Sequence, residues 1–186
     1  MRSQAILYCN CLLVVILTMG CSGIKTKLSQ TELMWINVYH EGDTLIFKSD
    51  KGELDTTAII KKEVYYPEYN PIEVHDKYLP QWGEIWYKNK NLIYHPEGHA
   101  LITLIKKHPR DKTLLTIDYL YSKVLILNLT SGSIEKYKQG KVYEFDTYHP
   151  KAKPNEPKKI FWHEEYGIIK YITHDDVVWE RSNLPN

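Results

Sequence analysis

His95, Glu97 and His99 form the tightest cluster of potential metal ligands in the chain, in the order His95, Pro96, Glu97, Gly98, His99. A helical zinc site needs two histidines one turn apart on an unbroken helix, and three or four protein ligands in all. Pro96 removes a backbone donor and Gly98 loosens the chain, so the two rings are not held at that offset. With no further ligand marked nearby, the spacing predicts a polar turn, no metal site and no cofactor. His40, His75, His108, His149, His163 and His174 mostly fall beside turn signals and are expected at the surface. Ser131, Gly132 and Ser133 have ordinary loop composition rather than the glycine-flanked elbow of a hydrolase nucleophile. The acid pairs Glu164 with Glu165 and Asp175 with Asp176 are sequence neighbours, which does not set two carboxylates across a cleft. Asp118, inside a strand pattern, is a somewhat better candidate. No phosphate loop or dinucleotide fingerprint is present, and the balance of these observations leans away from an enzyme.

The aromatic residues carry a stronger signal, with 15 tyrosines and 5 tryptophans in 186 residues. Tyr65, Tyr66, Tyr69, Tyr78, Trp82, Trp86 and Tyr87 crowd around a proline-rich stretch that runs from Pro67 through Pro71 to Pro80. Rings at that density make adhesive surfaces for glycans, peptides or proteins, and this group is the candidate binding surface. The competing explanation is that tyrosine and tryptophan are good strand formers that fill cores and pack under long loops.

Charge and cysteine usage bound the setting. The chain has 24 Lys plus Arg against 23 Asp plus Glu, which gives no general basic field for nucleic acid. The run Lys106, Lys107, His108, Arg110, Lys112 is expected to be a solvated turn. Arg2 is followed by an apolar run from Ala5 to Leu17, the charged head and short apolar core of a secretory signal. At about 1.5 Å per residue that run makes a helix of only ~20 Å, short of the ~30 Å hydrocarbon layer. The segment Leu17, Thr18, Met19, Gly20, Cys21, Ser22, Gly23 resembles the lipobox of bacterial lipoproteins, with Thr18 where a leucine is usual. The resemblance implies cleavage before Cys21 and lipid on that cysteine. Cys9 and Cys11 lie in the removed part, so the processed chain has no disulfide and rests on its core alone.

These features divide the chain into a signal over 1–20, a lipidated N-terminus and flexible tether over 21–30, and a single β-rich domain over 31–186. The domain should be mostly antiparallel β, a sandwich or a curved, partly open barrel of about 8–10 strands. Leu115, Ile117, Tyr119 and Tyr121 alternate with polar residues, the period of a half-buried strand. The run 124–129, apolar on both faces, suggests a central strand. Strand-like runs also cover 34–40, 44–48, 57–66, 84–88, 100–106, 142–148, 159–163, 168–173 and 177–181. Turn residues separate them, among them Glu41, Gly42, Asp43; Asn89, Lys90, Asn91; Gln139, Gly140; Tyr166, Gly167; and Asp175, Asp176. No strong helical stripe stands out, and 91–107 is the one stretch with room for a short helix.

The lipobox region, the run Gly42 to Phe47 with Asp50 to Gly52, and the closing pattern Tyr166 to Tyr171 with Val178 to Arg181 resemble the small β-rich lipoproteins of Bacteroidetes. That resemblance implies an envelope location and no particular activity. Ser22 to Lys27 lacks the acidic residues of many surface-displayed members, which implies an outer-membrane position facing the periplasm. The sequence therefore leads to the expectation of a membrane-anchored lipoprotein with a non-catalytic β domain that binds a partner, most simply a protein. A periplasmic hydrolase with a site assembled by folding, and an immunity protein against a secreted toxin, are the alternatives.

Overall fold

The computed structural model describes residues 23–68, 77–93, 95–126, 134–137, 140–149 and 151–184; Cys21, Tyr69, His75 and 127–133, which include the end of the run expected as a central strand, lie outside them. The described elements are β1 (Ile24–Lys25), α1 (Gln30–Asn37), β2 (Thr44–Ser49), β3 (Leu54–Tyr65), β4 (Tyr78–Leu79), β5 (Gln81–Asn89), β6 (His99–Lys106) and β7 (Leu114–Tyr119). They continue with β8 (Ser122–Ile126), β9 (Ile134–Tyr137), β10 (Gly140–Asp146), β11 (Pro157–His163), β12 (Gly167–Thr173) and β13 (Val178–Arg181).

Period-two patterning drives the architecture. In β2, Leu45, Phe47 and Ser49 point to the core; in β7, Leu115, Ile117 and Tyr119 do the same. A long sheet with one apolar face buries it by curling on itself. Eleven strands form one antiparallel sheet in the order β8-β7-β6-β5-β3-β2-β13-β12-β11-β10-β9. Its ends nearly meet: Tyr148, just past β10, donates its backbone N–H to the Lys123 carbonyl of β8 at 2.8 Å. The result is the expected partly open barrel, with one unsealed seam. Register shifts where β3 meets β5, β5 meets β6 and β11 meets β12 add local bends that help close it.

One end of the barrel is plugged. Ser29 accepts from the Glu32 backbone N–H at 3.2 Å while Glu32 accepts from the Ser29 backbone N–H at 2.7 Å, a reciprocal cap that starts α1. The helix drives Trp35 and Ile36 into the barrel end. Trp35 lies 5.1 Å from the Tyr143 ring and 5.3 Å from Trp162, with Phe145 at 6.1 Å. Tyr39, fully buried, meets Trp162 edge-on at 5.4 Å and accepts the Ile168 backbone N–H at 2.9 Å. Gly167, at φ +71°, leaves the space that the Tyr39 ring occupies, and a β-carbon there would collide with it.

Several expectations need correcting. Residues 34–40, expected as a strand, instead fall largely in α1, because the cap at Ser29 fixes a helical start that outweighs the alternation of Met34, Ile36 and Val38. Residues 91–107 hold a turn and β6 rather than a helix. The strand through Leu115 ends at Tyr119, and Leu120 and Tyr121 form the turn into β8. That β8 is no central strand: it ends the sheet order, and Leu125 is 56% exposed. The segment expected as a tether is packed from residue 24 onward: β1 pairs in parallel with β4, and Thr26 and Leu28 are buried. Lys106 is no solvated turn residue, since its ammonium pairs with Glu32 at 2.7 Å with both side chains mostly buried. His163 is buried rather than exposed, its ring stacked on Tyr166. Among the described residues no helix is long and apolar enough to cross a membrane.

Candidate functional site at the open mouth of the barrel

At the end opposite α1 no described residue forms a plug. There the β2–β3, β5–β6, β7–β8, β10–β11 and β12–β13 connections come together around a cleft of about 650 Å³. Small-molecule sites commonly span roughly 300–1,000 Å³ and favour the mouths of barrels. Lys51 and Glu53 come from the first of these connections, Lys90 and Asn91 from the second, and Tyr121 from the third. Lys153, Asn155 and Glu156 belong to the fourth and Asp175 to the fifth, while Tyr171 and Trp179 reach in from β12 and β13.

Below the cleft lies a buried polar floor. Asp55, 1% exposed, accepts from Asn89 Nδ2 at 3.0 Å on both oxygens, from Asn91 Nδ2 at 3.0 Å and from the Tyr171 hydroxyl at 3.2 Å. Asn89 Nδ2 also donates to Thr57 Oγ1 at 2.8 Å, and Thr57 shares a 3.0 Å hydrogen bond with the Tyr119 hydroxyl. Burial first, then the Asp55 charge, pushes the Tyr171 phenol well above its usual range. Burial likewise raises Tyr119, followed by the charges of Tyr171 and Asp55. Both phenols therefore stay protonated across ordinary pH, and Tyr171 serves as a fixed donor to Asp55. A satisfied network of this kind is rigid, because each lost partner strands a desolvated group.

The rim is fixed too. Tyr119 pairs with Ser122, leaving Leu120 (φ 51°) and Tyr121 (φ 68°) as a two-residue hairpin turn with both residues in the left-handed region. That geometry normally selects asparagine and glycine. The Leu120 N–H donates to the Tyr87 hydroxyl at 2.9 Å, and the Tyr121 hydroxyl accepts the Ile93 N–H at 2.6 Å. Lys153 Nζ stands 6.0 Å from the centre of the Tyr121 ring. Glu156, buried, takes its loop's Lys153 N–H at 3.0 Å and His149 Nδ1 at 2.5 Å. Trp179 is stacked on Tyr171, ring centres 5.7 Å apart and planes 9° off parallel.

The residues singled out from sequence land elsewhere, with one exception. Tyr87 is in the core and does not belong to any surface. Tyr65, Trp82 and Trp86 stand half-buried on the outside of β3 and β5 around buried Glu84, whose Oε2 accepts from the Tyr65 hydroxyl and from Trp86 Nε1, each at 3.2 Å. Tyr66 and Tyr78 instead serve the N-terminal strap: the Tyr66 hydroxyl donates to the Thr26 carbonyl at 2.6 Å, and Tyr78 sits in β4 against His108. The seven aromatics are thus spread over three environments, with Tyr69 outside the described residues. His95 and His99 have ring centres 6.0 Å apart, and His99 Nε2 contacts the Ile93 carbonyl at 3.0 Å. Among the described residues no group of three His, Cys, Asp or Glu side chains is arranged to hold a metal ion. Asp118 lies on the outer face of β7, where burial raises its carboxyl against the pull of Lys123, His99 and His149. Glu164 and Glu165 turn at the closed end, whereas Asp175 reaches the mouth and is the exception. Its carboxyl is lowered chiefly by the Thr173 hydroxyl bonded to it.

Comparison with known protein families, with curated proteins and with solved structures finds no match to this chain.

Proposed function

We propose that this chain is a lipid-anchored envelope protein, processed before Cys21, whose barrel is a non-catalytic binding module with its site at the open mouth. The observation that carries the binding half is the convergence of connections from all around the barrel on one cleft with a hydrogen-bonded floor and a fixed rim. The anchoring half rests on the signal and lipobox-like segment of residues 2–23. Topology joins the halves. β1 and Thr26 are held at the plugged end, beside Leu79 and the Lys106 carbonyl. Cys21 precedes Ile24 by three residues, a span of at most about 10 Å of extended chain. Lipid on Cys21 would therefore set the plugged end against the bilayer and turn the mouth away from it, toward the periplasm for a protein on the inner leaflet of the outer membrane.

Metabolic labelling with a fatty-acid analogue tests the anchor: wild type should take the label, and Cys21→Ala should lose both label and processed N-terminus. Equal labelling of the two would end the lipoprotein reading. A protein partner, including the toxin of an immunity pair, is the second reading, favoured by the ring-rich outer face of β3 and β5, where Trp82 Nε1 is buried without an acceptor. Cross-linking from a photoreactive residue at Trp86 in intact cells would capture such a partner.

A further inference from the structure

We propose that the mouth cleft binds a neutral oligosaccharide of two or three units, with Tyr121 and Trp179 presenting the rings against which the sugar packs. The inference rests on the mouth being a binding site and names its ligand class.

Charge disfavours an ionic ligand. Lys51, Lys90 and Lys153 face Glu53, Glu156 and Asp175 around one cleft, three formal positive charges against three negative, and Asp55 beneath them is buried and ringed by the donors of Asn89, Asn91 and Tyr171, so the exposed lining presents no strong field of either sign. Several of these charges are already engaged: Lys90 Nζ donates to the Leu54 carbonyl at 3.1 Å, and Glu156 holds His149. An apolar ligand is disfavoured by the mostly polar lining, in which pure donors (the ammonium groups) and pure acceptors (the carboxylates) stand beside the amides of Asn91 and Asn155, which do both, while Leu54, Leu120 and Val177 are an aliphatic minority. A sugar presents the matching pattern, since every hydroxyl both donates and accepts.

The rings supply the other half of sugar recognition. A pyranose has an apolar C–H face, which packs on an aromatic side chain while its hydroxyls reach polar neighbours. Stacking on Tyr171 fixes the plane of Trp179. Tyr121 is held at the rim at a cost: a side chain in the left-handed region is disfavoured by about 1–2 kcal/mol, and asparagine or glycine would make the same turn more cheaply. Non-glycine residues in such backbone are concentrated at ligand-binding positions. The Tyr121 hydroxyl, held by the Ile93 N–H, fixes the ring along the cleft wall, where it offers a face to the sugar.

The test uses the full chain isolated from cells. It is screened on a printed array of neutral and acidic glycans, and hits are followed by saturation-transfer NMR beside inorganic phosphate, glucuronate, trilysine and triglutamate. Binding to neutral glycans, weakened at least tenfold by Tyr121→Gly and by Asn155→Ala with unchanged melting, is the expected result. Tyr121→Gly relieves the strained turn and Asn155 is an exposed loop residue, so at least one variant stays folded. Neutral glycans that bind equally to wild type and both variants would overturn the site. Silence from neutral glycans with binding of phosphate, glucuronate or either peptide would overturn the ligand class but keep the binding module. Silence from every probe would overturn both.

Discussion

At the plugged end Trp162 lies between Trp35 and Tyr39, ring centres 5.3 and 5.4 Å away, whereas at the mouth the interior is filled by Asp55, Asn89, Thr57 and the hydroxyls of Tyr119 and Tyr171. The same strands build both ends. At the plugged end their inward positions bury rings and aliphatic groups under a capped helix; at the mouth they bury hydrogen bonds beneath the cleft. Apolar contact is non-directional and tolerant of movement, while a buried polar network fixes the direction of every group in it. The difference teaches a division of labour: one end seals the apolar core with rings, and the other holds a surface in place.

The comparison breaks most readily at Trp35. Trp35→Ala should destabilise the chain by about 3–5 kcal/mol, the usual cost of removing a large buried ring, read as a fall in the denaturant midpoint. A loss under about 1 kcal/mol would mean that the helix is an accessory rather than a plug. At the mouth, Asp55→Ala should cost about 2–4 kcal/mol, because the Asn89, Asn91 and Tyr171 donors lose their acceptor in a buried site. Replacement by an amide in Asp55→Asn keeps an acceptor and should cost less. If the two substitutions cost the same, charge rather than hydrogen-bond satisfaction organises the floor.

Glu32 sharpens the contrast through pH. Burial pushes its carboxyl up, but hydrogen bonds from Lys106, the Ser29 backbone, Thr113 and the Ser29 side chain outweigh burial and bring it from 4.5 to about 2. A carboxyl lowered on folding contributes stability that is fully present above its unfolded value and lost as pH falls through the folded one. The contribution should therefore disappear as pH falls from about 4.5 through 2; the shift alone corresponds to about 3.4 kcal/mol, which solvent screening of the partly exposed pair lowers to roughly 2–3 kcal/mol. Glu32→Gln should be less stable than wild type at pH 7 and converge with it near pH 2. Parallel pH curves for the two proteins would show that the Glu32 charge does not matter to the cap.

How far these ends were legible depends on the range of the signal. The strand-like runs at 44–48 and 168–173 are local and fall in β2 and β12, and the alternation that starts at Leu115 holds as far as Tyr119, as do the turns at Gly42 and Gly167. The helix was legible too, in the Ser29 and Glu32 spacing, but the alternating Met34, Ile36 and Val38 masked it. The edge position of β8 depends on strand order, which no local pattern carries. The mouth was hidden for a similar reason: Lys51, Lys90, Lys153 and Asp175 each sit in ordinary turn composition and acquire a common purpose only when the sheet curls. Asp55 resembles any polar residue entering a strand until Asn89, 34 residues later, is brought to it. The hairpin at Leu120 and Tyr121 carries neither asparagine nor glycine, so its chemistry offered no warning.

That turn gives the smallest expected effect and the most discriminating one. Tyr121→Gly removes a ring, as Trp35→Ala does, yet the change in stability should be near zero. Releasing the left-handed strain should recover about 1–2 kcal/mol. Against this stand the greater freedom of glycine in the unfolded chain, about 0.5–1 kcal/mol, and the hydrogen bond from the Ile93 N–H to the Tyr121 hydroxyl, worth about 1 kcal/mol. These terms cancel to within about 1 kcal/mol, so the melting midpoint should barely move while ligand binding at the mouth falls. Tyr121→Asn, which also tolerates the left-handed region, should behave alike. A loss of 3 kcal/mol or more in either variant would place Tyr121 among the rings that hold the barrel together, and the mouth would then be a second structural end rather than a working one.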